Sequence, residues 1–356
     1  MIVLGDIACP TKELNQNLVD VFSKTPLFTG KSLVCNLEGL ICNEEIQHDG
    51  KPVLYNHSRV IKTLVDAGVK AVSLANNHTL DLTRQFNFSS SELSKNNIAY
   101  NGAGKSPEEA AKPITFIDNG QEVIVLSACW NFLLYHQHNP QDGVFIHTID
   151  ENKLLGKVSK IRENNPSAKI LVFLHWSFDL ETLPFPMYRQ WSMALIDEGV
   201  DFVVGCHSHC VQGGEKYKEG YIVYGLGNFY IPNWVFAGGA LHFPEFSKLQ
   251  LAFEFDFEKV QAFCHWFNYN DDHTLTFLNS EKFEDSEMLK KYSPFQKMTE
   301  KDYIAYYKSH RRKKMFVPVY KNFKDIRTNF FYTFYLKKRA KFARFLAKKK
   351  VIKWQN

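Results

Sequence analysis

The residues able to do chemistry in this 356-residue chain fall at the ends of short apolar runs. Phe202-Val203-Val204 runs into Gly205, and two histidines follow closely, His207 and His209. Asp6 follows the run 2–4, Asn36 and Glu38 follow 32–35, and Asn77 and His78 follow 70–75, with Asp81 three residues further on. His175 closes the run 169–174. Each has an ordinary explanation taken singly, because strand-to-helix loops commonly use Asp or Asn as a helix N-cap, an option open to Asp81 before a helix near Thr83. Five strand ends delivering carboxylates, an amide and imidazoles toward one face point to a metal centre. Such oxygen and nitrogen donors suit divalent Mn, Fe or Zn. Two ions about 3.5–4 Å apart can clamp the attacking and leaving oxygens of a displacement. Cys206 and Cys210 beside the histidines open a rival reading, a structural zinc site of thiolates and imidazoles. No C-x-x-C pair accompanies them, which counts against it, and the two cysteines read as incidental.

The elements that must position these residues alternate along the chain. Strands are expected at 2–4, 32–37, 70–75, 121–127, 169–174 and 201–205, and helices at 57–67, about 83–95, 150–164 and 187–198. This βαβα order predicts an α/β fold with a largely parallel or mixed sheet covered by helices. Sites in such folds lie at the carboxyl ends of strands. The runs 249–257 and 260–268 read as a late antiparallel hairpin, and 271–356 as mainly helical with breaks such as Pro318. The expected division is a domain over 1–270 and a basic, aromatic-rich helical extension over 271–356.

Net charge is +5, yet residues 301–356 hold 18 Lys and Arg against two Asp, leaving 25 Lys and Arg against 36 acids before them. The tail interleaves this charge with aromatics, as in Phe330-Phe331-Tyr332-Thr333-Phe334-Tyr335. Peripheral contact with an anionic membrane surface suits that mixture. Capture of an anionic polymer, or packing on the acidic remainder, would use the same charge. Nucleic acid is not expected, since no recognisable binding module accompanies it. Seven scattered cysteines suit a reducing compartment. The opening MIVLGD reads as a first strand and not a signal peptide, and no apolar run of about 18 residues occurs. A cytoplasmic location is expected, with the tail on the inner membrane surface.

The motifs resemble the CapA family of bacterial capsule and poly-γ-glutamate synthesis proteins, within the calcineurin-like metallophosphoesterase superfamily. The resemblance runs from Leu4 to about Ile231. It is carried by Gly5-Asp6, Asn36-Leu37-Glu38, Leu74-Ala75-Asn76-Asn77-His78 with Asp81, His175-Trp176, Gly205 to His209, and Tyr224-Gly225-Leu226-Gly227-Asn228-Phe229. It implies a four-layer α/β/β/α sandwich with a metal site at one edge of two facing sheets. Asp6 and His209 would bind one divalent ion, Asn77, His175 and His207 another, and Glu38 would bridge them. His78 would be the general acid, oriented by Asp81, with Asn36, Asp179 and Asn228 toward substrate. The implied reaction is attack of a metal-activated hydroxide on a phosphoester or amide during capsule or poly-γ-glutamate synthesis. The alternative is a non-catalytic scaffold of a polymer-export machine. Four positions depart from the family pattern: Ala8 stands where many metallophosphoesterases carry a ligand histidine, Ser177 and Asp179 replace the Gly and Glu of H-W-G-x-E, and Ser208 replaces a proline. The last should relax the loop without moving either imidazole. The stretch 225–229 is expected to turn tightly and press Asn228 against the metal pocket.

Overall fold

The computed structural model describes residues 1–44, 46, 53–134 and 143–312, with the single positions 319, 323, 334 and 338. Ile2–Ile7 lies in the middle of the first sheet, with Leu33–Leu37, Val69–Ser73 and Ala99–Asn101 following in parallel on one side. On the other side run three antiparallel strands, Leu249–Asp256, Gln261–Tyr269 and Leu275–Lys282. The short strand Asn228–Tyr230 joins Ile2–Ile7 at its carboxyl end.

The second sheet runs Val211–Tyr217, Gly220–Leu226, Phe202–Cys206, Lys169–His175, Gln121–Cys129 and Ile114–Asp118. Its four central strands are parallel and its two edge strands antiparallel. A strand covered on both faces must be apolar at successive positions, and Ile170 to His175 are all buried.

Val3, Val34, Phe173, Val204 and Phe253 meet in one core cluster that joins the two sheets. A second cluster joins the first sheet to helices Lys12–Lys24, Val60–Asp66 and Phe86–Lys95 through Leu18, Leu64 and Leu93. Leu154, Leu195 and Tyr303 join Glu151–Asn164, Pro186–Asp197 and Glu300–His310 to the second sheet. The order helix, sheet, sheet, helix is the four-layer sandwich that the motifs implied.

The structure departs from the sequence reading at several elements, among them the unanticipated strands Ala99–Asn101, Ile114–Asp118, Val211–Tyr217 and Gly220–Leu226. Leu275–Lys282 is a strand, not part of a helical segment, and it extends the first sheet past residue 270. Its alternation of partly exposed and exposed positions lacks the apolar face that marks an inner strand. Helix Lys12–Lys24 was not anticipated, although Thr11 caps it and Leu14, Leu18, Val21 and Phe22 form one buried stripe. The expected helices of the tail beyond Arg312 lie outside the described residues, the single positions apart. Among the described residues no helix is long and apolar enough to cross a membrane.

Candidate metal centre

Parallel strands that end at the same level deliver their next residues to one edge. Asp6 is in register with Asn36 on one side and Asn228 on the other. In the second sheet His175 lies between Cys129 and Cys206. The close approach of the 225–229 turn depends on glycine: a Cβ at Gly5 would stand 2.1 Å from the carbonyl oxygen of Gly227, whose own φ is +83°. That contact seats Asn228 beside Asp6, as the stretch was expected to do.

The Asp6 carboxylate is fully buried and accepts from Asn36 Nδ2 at 2.8 Å and from the backbone N–H of His207 at 3.1 Å. His209 Nδ1 stands 3.8 Å and His175 Nδ1 4.0 Å from it. Beside it lies Glu38, also fully buried, whose two carboxylate oxygens have no hydrogen-bond partner among the described residues. His175 Nε2 is 3.7 Å from Glu38 and 2.8 Å from Asn77 Oδ1. His207 Nε2 meets Asp179 at 3.1 Å. His78 Nε2 approaches Glu38 at 3.9 Å while its Nδ1 is held by Asp81 at 2.5 Å.

Burial governs the charge states here. It pushes the Glu38 carboxyl well above the usual carboxylate range, helped by Asp6, Asp179 and Asp81. Asp6 is also raised by burial, against the pull of His209 and of its donors. Burial and the neighbouring imidazoles hold His175 well below its ordinary value, and burial lowers His209. Both are therefore neutral, the form that ligates metal. His78 goes the other way: burial opposes its charge, but the charge and hydrogen bond of Asp81 outweigh it and raise the pKa.

The histidine loop is strained and firmly held. His207 and His209 have φ of 83° and 53°, left-handed values that cost about 1–3 kcal/mol each. Ser208, at the family's proline position, donates its hydroxyl to the Cys210 carbonyl at 2.7 Å, and its own carbonyl accepts from Leu180 N at 2.8 Å. Asp179 lies on an adjoining loop with two more left-handed residues, Ser177 and Leu180. Gln212 ties that loop down, donating to Ser177 Oγ at 2.9 Å and to the Glu181 carbonyl at 2.7 Å.

The structure thus brings together Asp6, Glu38, Asn77, His78, Asp81, His175, Asp179, His207 and His209. The closest ligand atoms divide differently from the division that the resemblance implied: Asp6, His175 and Cys206 form one group and Glu38, His207 and His209 another, each within 4.8 Å. Two residues expected against substrate are turned inward. Asn36 is fully buried and bridges Asp6 to Asn76, and Asn228 Oδ1 accepts from His209 Nδ1–H, 2.7 Å away. Their side chains orient ligands because the strand ends pack too tightly to leave them facing out. Asp179, 44% exposed, is at the rim. Asp81 reaches His78 and the backbone N–H of Leu54, while Leu82 holds the N-cap position before Thr83.

Two contributors escaped the sequence reading. Asn76 donates to Asn36 Oδ1 and to the Leu37 carbonyl, and accepts from Thr79 N, tying the end of strand Leu33–Leu37 to the loop after Val69–Ser73. Cys206, read as incidental, places its sulfur 3.3 Å from His175 Nδ1, whereas Cys210 donates to the Glu181 carbonyl. Strand register alone could have signalled Cys206, because it is the neighbour of His175 across the sheet.

Known proteins share much of this chain. "Capsule biosynthesis protein CapA" of Bacillus anthracis is 27% identical over 172 residues, 48% of this chain and 42% of the relative. "PGA biosynthesis protein CapA" of Bacillus subtilis (strain 168) is 28% identical over 204 residues, 51% of this chain and 48% of the relative. The chain therefore spans about half the length of the curated relatives it matches. Among solved structures, the sulfate thiohydrolase SoxB of Thermus thermophilus aligns with 78% of this chain and 46% of its own, at 14% identity and a TM-score of 0.41. The family described as "Bacterial capsule synthesis protein PGA_cap" matches residues 11–233, from just after Asp6 through His175, His207 and His209. With well over half its length inside that match, the chain belongs to the bacterial capsule synthesis family PGA_cap.

Proposed function

We propose that this chain is a metal-dependent hydrolase that acts in the synthesis or processing of an anionic cell-surface polymer, with poly-γ-glutamate or a phosphoester as substrate. The observation that carries the reading is Glu38: a fully buried carboxylate with neither oxygen hydrogen-bonded among the described residues. An unpaired buried carboxylate is costly unless a cation meets it. The donors around it are carboxylate, amide oxygen and neutral imidazole, which fit one or two ions of Mn, Fe or Zn. Asp6, Glu38, Asn77, His175, His207 and His209 would hold them. Bound there, the metal would supply Lewis-acid polarisation of the bond to be broken and of the attacking water.

The chain's own residues supply the rest. Asp6 takes the backbone N–H of His207 and so holds the strained loop against the first sheet. His78 donates its Nδ1–H to Asp81, whose charge favours the imidazolium, and that cation can deliver its Nε2 proton to a leaving group. Asp179 stands at the open side, where an incoming anion would have to displace or avoid it.

The second reading, a scaffold that binds polymer without cleaving it, is favoured by Ala8, which is fully buried in an apolar cluster where related enzymes place a ligand. One set of measurements separates the two. Purified chain loaded with Mn or Zn is assayed against p-nitrophenyl phosphate, bis(p-nitrophenyl) phosphate and poly-γ-glutamate, beside Asp6→Asn. Cleavage lost in the variant supports the hydrolase, and inactivity at full metal loading supports the scaffold. A chain that takes up no metal sinks both metal roles. Contact of residues 301–356 with the inner membrane surface belongs to the same proposal. Pelleting with anionic vesicles should weaken when 313–356 are removed, and unchanged pelleting would eliminate it.

A further inference from the structure

The structure assigns Cys206 a two-way hydrogen-bonding role that lets His175 change tautomer when a cation enters the centre. The inference rests on the metal reading above. His175 is buried and its Nδ1 faces the Asn36 amide donor at 3.4 Å, which calls for a lone pair there, so its ring carries a single N–H. Nε2 lies 2.8 Å from Asn77 Oδ1, an acceptor, which places the proton on Nε2 in the metal-free chain. Nδ1 then has a lone pair, and two donors face it: Asn36 Nδ2 at 3.4 Å and Cys206 Sγ at 3.3 Å.

Ligation reverses this arrangement. To give its Nε2 lone pair to a cation beside Asn77 and Glu38, His175 must lose the proton there and take one up at Nδ1, remaining neutral. The new Nδ1–H needs an acceptor. Asn36 Nδ2 can only donate, and Asn36 Oδ1 is occupied by Asn76 Nδ2 at 3.2 Å. The nearest Asp6 oxygen is 4.0 Å away and already accepts from Asn36. The Cys206 sulfur is within reach and can accept, while its S–H turns to the Leu174 carbonyl at 3.5 Å. Only 1% of Cys206 is exposed, so water is a poor substitute. A thiol or hydroxyl serves both tautomers; a methyl group serves neither. Glu38, unpartnered and 3.7 Å from Nε2, marks the side on which the cation would arrive.

Cys206 is thus a positioning residue. Zn²⁺ is titrated into chelator-treated full chain against a competing chromophoric chelator, for wild type, Cys206→Ser, Cys206→Ala and His175→Ala. Loss of a partner behind a ligand histidine typically weakens metal by about 10–100-fold, the effect expected for Cys206→Ala. Cys206→Ser, which keeps a donor and an acceptor, should restore most of it. Two-bond ¹H–¹⁵N correlation spectra of histidine-labelled wild type should show His175 as the Nε2–H tautomer without zinc and the Nδ1–H tautomer with it, a change that a packing role would not produce. Wild-type affinity in Cys206→Ala, or a single tautomer throughout, overturns the inference. So does a sulfur-to-cobalt charge-transfer band in the Co²⁺ form, which would make the thiol a ligand. A wild-type chain without zinc affinity instead removes the metal reading on which the inference stands.

Discussion

Glu38 and Glu215 are both buried carboxylates, yet their surroundings follow opposite rules. Glu215 is met by Arg189, whose Nε and Nη2 donate to its two oxygens at 2.7 and 2.9 Å, and by the Tyr224 hydroxyl at 2.7 Å. Arg189 also donates to the Met298 carbonyl at 2.8 Å, so the cluster pins the segment before helix Glu300–His310 onto the second sheet. Among the described residues no guanidinium or hydroxyl donates to Glu38, and imidazoles stand 3.7 and 3.9 Å from it with other carboxylates nearby. The charge of Glu215 is compensated within the fold, whereas Glu38 finds no such partner among the described residues.

Breaking the paired cluster should have the largest effect on stability. Arg189→Ala leaves Glu215 buried and uncompensated, and urea unfolding should show a loss of about 3–5 kcal/mol. Replacing both partners, as Arg189→Met with Glu215→Leu, should recover most of it, and a double variant as unstable as the single one would contradict the contrast. At the unpaired cluster the main effect is on chemistry. His78→Gln should lower turnover of a cleaved phosphoester by about 10²–10⁴-fold with metal content unchanged. If metal is lost along with activity, His78 is a ligand and not an acid.

A smaller effect of opposite sign is expected at Glu38. Its folded pKa lies well above the ordinary 4.5, so its stabilising contribution is complete below that pH and is lost as pH rises through the raised value. In the presence of a chelator the melting temperature of wild type should therefore fall across that range. Glu38→Gln should flatten the decline and gain on the order of 1–3 kcal/mol at neutral pH, while abolishing metal uptake. A metal-free Glu38→Gln chain less stable than wild type at neutral pH would mean that the carboxylate is satisfied in the fold. As a reference, Lys62→Ala removes only the exposed i,i+4 pair with Asp66, and should change stability by no more than about 0.5 kcal/mol in thermal melts.

Much of this molecule was legible along the chain. The apolar runs around Val34, Val72, Val172 and Val204 mark strands because strands buried on both faces must be apolar at consecutive positions. Polar residues after those runs are the side chains that the fold gathers at one edge, since parallel strands terminate at a common edge. Helix Lys12–Lys24 was missed although its cap and stripe are present, and Leu275–Lys282 because an edge strand half open to solvent carries little apolar pattern.

Sequence by itself determined which residues could be ligands: Asp6, Glu38, Asn77, His175, His207 and His209 are set by residue type and by position after a strand. Only the tertiary structure decided what each ligand leans on. Asn36 and Asn228 turn inward, Asn76 ties two strand ends, and Cys206 lies against His175. Those contacts join residues 19 to 39 positions apart, through sheet register and left-handed turns at His207 and His209. Residue type and local spacing encode donor chemistry, whereas hydrogen-bond direction in a buried site depends on neighbours that the chain supplies from far away.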